Sequence, residues 1–113
     1  MRTIKNLTSN HERVWVYLKD KETEDLFVRE LNEMGATYLN GKKISPSNCS
    51  PIMAVHADGK VAHLMIMIWN ASFSPTFKEH SSKSLANAIK VDYAKYINGD
   101  ADYLCHTSEF IPI

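Results

Sequence analysis

The stretch from Pro51 to Asn70, PIMAVHADGKVAHLMIMIWN, leaves little freedom to any chain that contains it. Two apolar runs, Pro51 to Ala57 and Lys60 to Asn70, are separated by Asp58-Gly59, a pair suited to the left-handed backbone of a type I′ turn. The pattern predicts an antiparallel hairpin. With Asp58 and Gly59 as the two turn residues, Ala57 pairs with Lys60, His56 with Val61, Val55 with Ala62 and Ala54 with His63. Side chains alternate across a strand, so this register assigns every residue to a face. Met53, Val55, Ala62, Leu64, Ile66 and Ile68 make the core face. His56, His63, Met65, Met67 and Trp69 share the other face with Ile52, Ala54 and Val61.

In that register the two histidines are diagonal neighbours, with Cβ atoms about 5.5 to 8 Å apart. They are only part of a metal site, because zinc takes four ligands, three of them from protein in a catalytic centre. No ligand-spaced motif brings Cys105, His106 or another donor to residue 56 or 63, so neither a metal nor a cofactor is expected. Met65, Met67 and Trp69 are apolar where a hydrated sheet face carries polar residues. Something covers them: the chain's own second layer, drawn from residues 73–97, or a partner or second copy. Methionine adapts to irregular surfaces and tryptophan is enriched at interfaces. Histidines inside such an interface would couple binding to pH near neutrality.

The rest of the chain supplies the frame. Arg13 to Lys19 reads as a strand with Val14, Val16 and Leu18 on one face and Trp15 and Tyr17 on the other. A helix follows from about Lys21 to Met34, capped by Asp20, with Glu22 and Glu24 in its first turn and Gly35 as its stop. Its stripe of Phe27, Leu31 and Met34, flanked by Leu26 and Val28, packs on a sheet. Ala36 to Leu39 is a short strand before the Asn40-Gly41 turn, and SPSNCSP is a loop. Ser72 to Ser84 reads as a loop whose Phe73 and Phe77 fold back on the core, and Leu85 to Ile89 as a helical turn or strand entry. Asp92 caps a short helix stopped by Gly99, and the terminal EFIPI is apolar enough to dock. Residues 1–12 show no period and read as a loose lead-in. This order predicts a single α+β domain over residues 1–113. It has a mainly antiparallel sheet, one amphipathic helix at about 21–34, and one or two short C-terminal helices packed on one face.

A chain of 113 residues with 44% hydrophobic and 23% charged residues can fold alone around one core. Thirteen Lys and Arg balance thirteen Asp and Glu, so no net field draws it to nucleic acid or anionic lipid. A small nucleic-acid-binding protein would have to use Lys42 and Lys43 or the Lys78, Lys83, Lys90 series, with Tyr38 or Trp15 for stacking; such scattered lysines are more often solvated surface. No apolar run approaches the roughly 20 residues of a membrane span and no signal segment is visible, so a cytoplasmic protein is expected. Two cysteines without a CxxC spacing fit free thiols in a reducing compartment.

An enzyme would need a nucleophile beside a base, such as Cys49 with His56 or His80, and an orienting third group. No nucleophile elbow, phosphate-binding loop, dinucleotide fingerprint or HExxH motif is present. The balance falls against an enzyme, with a His-dependent metal protein or hydrolase kept as the alternative. Acidic residues gather at Glu22, Glu24, Asp25, Glu30 and Glu33, which suits a helix start and a solvated face and would also suit a basic partner surface.

Phe27 to Ile44, FVRELNEMGATYLNGKKI, resembles small proteins of phages and prophages of Gram-positive bacteria. The shared pattern is Phe-x3-Leu-x3-Gly-x2-aromatic-x2-Gly, carried here by Phe27, Leu31, Gly35, Tyr38 and Gly41. The resemblance covers under a fifth of the chain. It implies a small accessory protein that binds a host or phage protein and brings no catalytic residue with it. The expectation is a non-enzymatic interaction or regulatory module, binding a protein partner or itself. A homodimer would form through the Met65, Met67, Trp69 face or an exposed strand edge, with Trp69 as the anchor.

Overall fold

In the computed structural model, which describes residues 2–80 and 87–105, the chain forms a five-stranded mixed sheet covered by helices on both faces. The elements in chain order are α1 (Ile4–Asn10), β1 (Arg13–Tyr17), α2 (Lys21–Glu33), β2 (Thr37–Tyr38), a 3₁₀ turn (Pro46–Asn48), β3 (Ile52–His56), β4 (Lys60–His63), α3 (Ile66–Ala71), α4 (Pro75–His80), β5 (Ile89–Asp92) and α5 (Tyr93–Asn98). Residues 81–84 of the expected loop, residues 85 and 86, His106 and the EFIPI tail lie outside the described residues.

Sheet order is β2-β4-β3-β1-β5. β1 pairs antiparallel with β3 and β3 with β4, whereas β1 and β5, like β2 and β4, pair in parallel. The α+β class holds, but the sheet is mixed rather than mainly antiparallel. Parallel strands need a long crossover, and α2 provides one by returning the chain to β2 in the same sense as β1. β3 alone runs the other way.

β1 sits inside the sheet, so it buries both faces, as its sequence predicts. Val14, Val16 and Leu18 join Phe27, Leu31, Val91 and Tyr93 in the larger core under α1, α2 and α5. Trp15 and Tyr17 enter a second core with Ile52, Ala54 and Trp69, closed by Phe73 and Phe77. Helices therefore cover both faces, not one. The Asp20 carboxylate accepts the Thr23 amide at 2.8 Å and caps α2, and Asp92 caps α5 through the Lys95 amide at 3.3 Å. The lead-in is ordered after all. Thr3 and Asn6 form a capping box, and Ile4 and Leu7, one turn apart, are buried against the sheet.

The hairpin is where predicted, but its register is not. Val55 faces Val61, Ala54 faces Ala62 and Met53 faces His63, one residue away from the expected pairing. Type I′ demands positive φ at both turn residues, yet only Gly59 adopts it, at +86°, and no residue other than glycine does so among those described. The chain instead turns through Ala57, Asp58 and Gly59, closed by the Gly59 amide donating to the His56 carbonyl at 3.0 Å. Because the side-chain period is two, this slip exchanges the faces of β4.

β4 also ends at His63. Ile66–Ala71 is helical, although MIMIW alternates like a strand. The outer sides of both edge strands carry further backbone bonds. The Tyr38 amide donates to the Lys42 carbonyl outside β2, and residues 103–105 bond along β5 through the Asp92 and Cys105 amides, both at 2.8 Å. Ala62 and His63 of β4 run on beyond the two residues of β2. No described helix is long and apolar enough to cross a membrane.

Candidate functional site

The structure separates the five residues expected to share a face. His56 lies on the side of Ala54 and Ile52, half-buried, with its Nε2 3.1 Å from Arg13 Nη1. An arginine can only donate, so His56 is neutral and accepts there. Burial, and then the adjacent guanidinium, hold its pKa below the ordinary histidine value.

His63 points to the opposite face, exposed, stacked on Tyr38 with ring centroids 5.5 Å apart. Trp69 is fully buried in the second core, edge-on to Phe73 at 5.7 Å. Met65 and Met67 precede it in sequence but remain 63% and 70% exposed: the helix turns Met67 to the side opposite Trp69, and Met65 is the extended N-cap before the helix begins. What covers that side of the sheet is the chain's own second layer.

A serine-histidine pair arises that sequence spacing did not indicate. His63 Nδ1 lies 3.1 Å from Ser50 Oγ. The Ile52 carbonyl at 2.8 Å and the Met53 sulfur at 3.3 Å compete for the single Ser50 hydroxyl proton, and when either takes it the imidazole donates to the serine. That is the reverse of the transfer that activates a nucleophile. Burial pushes the thiols of Cys49 and Cys105 up to about 12, which removes the thiolate that cysteine chemistry requires. The side chain of His80 lies outside the described residues.

The lysines considered for nucleic acid are not gathered either. Lys42 and Lys43 flank β2, while Lys90 sits on β5 at the other edge of the sheet, its ammonium over the rings of Trp15 and Phe73. Lys83 and the Lys78 side chain lie outside the described residues.

A cleft of about 1330 Å³ lies elsewhere, between α2 and α5. β1 and β5 run parallel and deliver Asp20 and Asp92, the caps of these helices, to one end of it. Asp20, Glu22, Asp25, Glu30, Glu33, Asp92 and Asp100 line it against Arg2, Lys19, Arg29 and Lys95, an excess of negative charge in a chain that is neutral overall. Hydrogen bonds from the Thr23 hydroxyl and amide hold the Asp20 carboxyl below its usual pKa, so it stays ionised.

At the base, the buried Tyr93 hydroxyl donates to Glu30 Oε2 at 2.5 Å, and Glu30 Oε1 accepts the Ile4 amide at 3.4 Å. One carboxylate thereby ties α1, α2 and α5 together. Burial and this bond keep the Tyr93 phenol protonated well above its ordinary range. Glu22 and Glu33 stand exposed on the rim with no ion pair among the described residues.

Comparison with family models, curated proteins and solved structures finds no match for this chain. The functional reading therefore rests on geometry and charge. The acidic run of α2 was visible in the sequence, but its meaning depends on Asp92 and Asp100 facing it across the cleft. No local pattern in the chain shows that.

Proposed function

We propose that this protein is a non-catalytic interaction module that holds a basic segment of a partner protein in the cleft between α2 and α5. The observation that carries this reading is the collection of seven carboxylates against four cations in one open concavity of a neutral chain. Complementary charge steers encounter and sets register, and its contribution falls with salt. The resemblance of Phe27 to Gly41 to small phage accessory proteins supports the same class of function.

The test is fluorescence anisotropy with a labelled lysine- and arginine-rich peptide at 50 and 500 mM salt. Binding should weaken at least about tenfold between the two, and the double reversal Glu22→Lys and Glu33→Lys should weaken it by a similar factor at low salt. Equal binding by that variant and the native chain would dispose of the cleft as the site.

A second reading has one observation behind it. Met65, Met67 and Ile68 present a small exposed apolar patch on α3, suited to a homodimer contact. Light scattering across a range of concentrations, on the native chain and on Met67→Lys, distinguishes it from the first.

A further inference from the structure

The cleft already holds a cation. Arg2 reaches its α5 end, where Nη1 donates to the Tyr96 carbonyl at 3.2 Å and the Asp100 carbonyl at 2.7 Å. The guanidinium carbon lies 5.4 Å from the ring centre of Tyr96 and 5.0 Å from that of Tyr103. These two rings stand edge to face, 68° apart, and form a corner. The acceptors are main-chain carbonyls at the C-terminal end of α5, the negative end of the helix dipole, and the Tyr96 carbonyl accepts the Gly99 amide as well. We infer that this corner is an arginine-recognition site, that Arg2 occupies it in cis, and that an arginine of the partner enters by displacing Arg2.

Three features support this assignment, which rests on the basic-partner reading of the cleft. First, the chemistry selects arginine over lysine. A planar guanidinium stacks on aromatic faces and directs several N–H donors at once, whereas an ammonium is a strongly hydrated point charge without a face.

Second, Arg2 is not needed to anchor the start of the chain. Ile4 and Leu7 are buried, the Tyr96 hydroxyl donates to the Thr3 carbonyl at 2.9 Å, and the Ile4 amide bonds to Glu30. The backbone from Thr3 onward is held without it, so the Arg2 side chain can swing out while α1 stays in place. Third, the corner opens onto the cleft, since Arg2, Asn98 and Asp100 all line it. A segment lying along the acidic wall meets Arg2 and Asp100 at its end, with the two rings behind the Arg2 guanidinium. Arg2 then acts as a built-in competitor that sets the threshold for binding.

The experiment uses two basic peptides of equal length and charge, identical except that one carries a central arginine and the other a lysine. Both are titrated against the full native chain and against Arg2→Ala. Removing Arg2 makes the cleft more acidic, so both peptides gain somewhat, and the informative quantity is the difference between them. If Arg2 fills the site nine-tenths of the time, its removal should strengthen arginine-peptide binding about tenfold, with a much smaller gain for the lysine peptide.

Equal gains for the two peptides would overturn the inference and leave the cleft reading standing. Binding of neither peptide to either protein would overturn both. Should Arg2→Ala fold poorly, the native chain gives the answer by NMR. The Arg2 side-chain resonances, shifted by the Tyr96 and Tyr103 rings, should move toward free-arginine positions on saturation with the arginine peptide but not with the lysine one. Unmoved resonances under bound peptide would refute displacement.

Discussion

Replacing Trp69 tests the second layer most directly, because truncation and a shape-preserving change should have opposite outcomes. Trp69 is fully buried against Phe73 and shares its core with Trp15, Tyr17, Ile52 and Ala54. Trp69→Ala leaves a cavity the size of an indole between α3 and the sheet, and such truncations cost about 3–5 kcal/mol. With a urea m-value of about 1–1.5 kcal/mol/M, expected for a chain of this size, the unfolding midpoint should fall by about 2–5 M.

The indole Nε1 is, however, buried with no hydrogen-bond partner among the described residues. An orphaned buried donor costs about 1–3 kcal/mol, which Trp69→Phe recovers. The smaller ring gives up roughly 40 Å² of buried apolar surface, or about 1 kcal/mol at about 25 cal/mol per Å². The net lies between about zero and 2 kcal/mol in favour of phenylalanine, so Trp69→Phe should unfold between the native midpoint and about 2 M above it. The assay is equilibrium urea unfolding followed by far-UV circular dichroism. An unchanged midpoint for Trp69→Ala would show that the residue is not core, as an interface anchor would require. A loss in Trp69→Phe equal to that in Trp69→Ala would refute the orphaned N–H.

Three further outcomes follow from local chemistry. Neutral His56 must take up a proton to become charged, and its folded pKa lies below the ordinary value, so its contribution is complete above about pH 6.5 and is lost as pH falls through that value toward the folded pKa. The native thermal midpoint should therefore drop between pH 7.5 and 5, and the drop should be smaller in His56→Gln; identical pH profiles would remove the effect. Gly59→Ala places a Cβ at φ +86° and should cost about 1–2 kcal/mol by urea unfolding. Asp58→Ala loses only the exposed bond to the Lys60 amide and should cost under about 1 kcal/mol; a type I′ turn would reverse neither sign but would make both positions sensitive. The Cys49 and Cys105 thiols, pushed up to about 12, should react with a disulfide reagent at pH 8 at least about a hundredfold more slowly in the folded chain than in urea.

Much of the frame was legible because its signals are local. Asp20, Gly35, Asp92 and Gly99 mark both long-range landmarks of the larger core, α2 and α5, and β1 announces its two faces through alternating valines and aromatics. Legibility failed where two geometries share one sequence. Asp58-Gly59 suits a two-residue turn and equally the end of a three-residue loop, and the difference is one residue of register that carries His63 to the other face. Met65 to Trp69 alternates as a strand does, yet tertiary packing makes it helical and draws Trp69 inward.

The candidate site was half visible. Glu22, Glu30 and Glu33 could be placed on one helix, but Tyr93 lies 63 residues beyond the Glu30 it binds, and Arg2 is 98 residues from the Asp100 carbonyl it meets at the end of the cleft. Parallel pairing of β1 with β5 is invisible for the same reason.

That pairing also bears on how the chain is made. β1 leaves the ribosome early, carrying Trp15 and Val16, and can find β3 once residue 56 has emerged. Its other side waits for β5, whose last residue is Asp92, and α5 then closes the larger core with Tyr93 and Tyr96. During synthesis the molecule therefore passes through a stage in which a strand that is buried on both faces in the finished fold is paired on one side only. Such an open edge invites association with other nascent chains, so prompt arrival of residues 89–98 protects the protein before it can reach any partner.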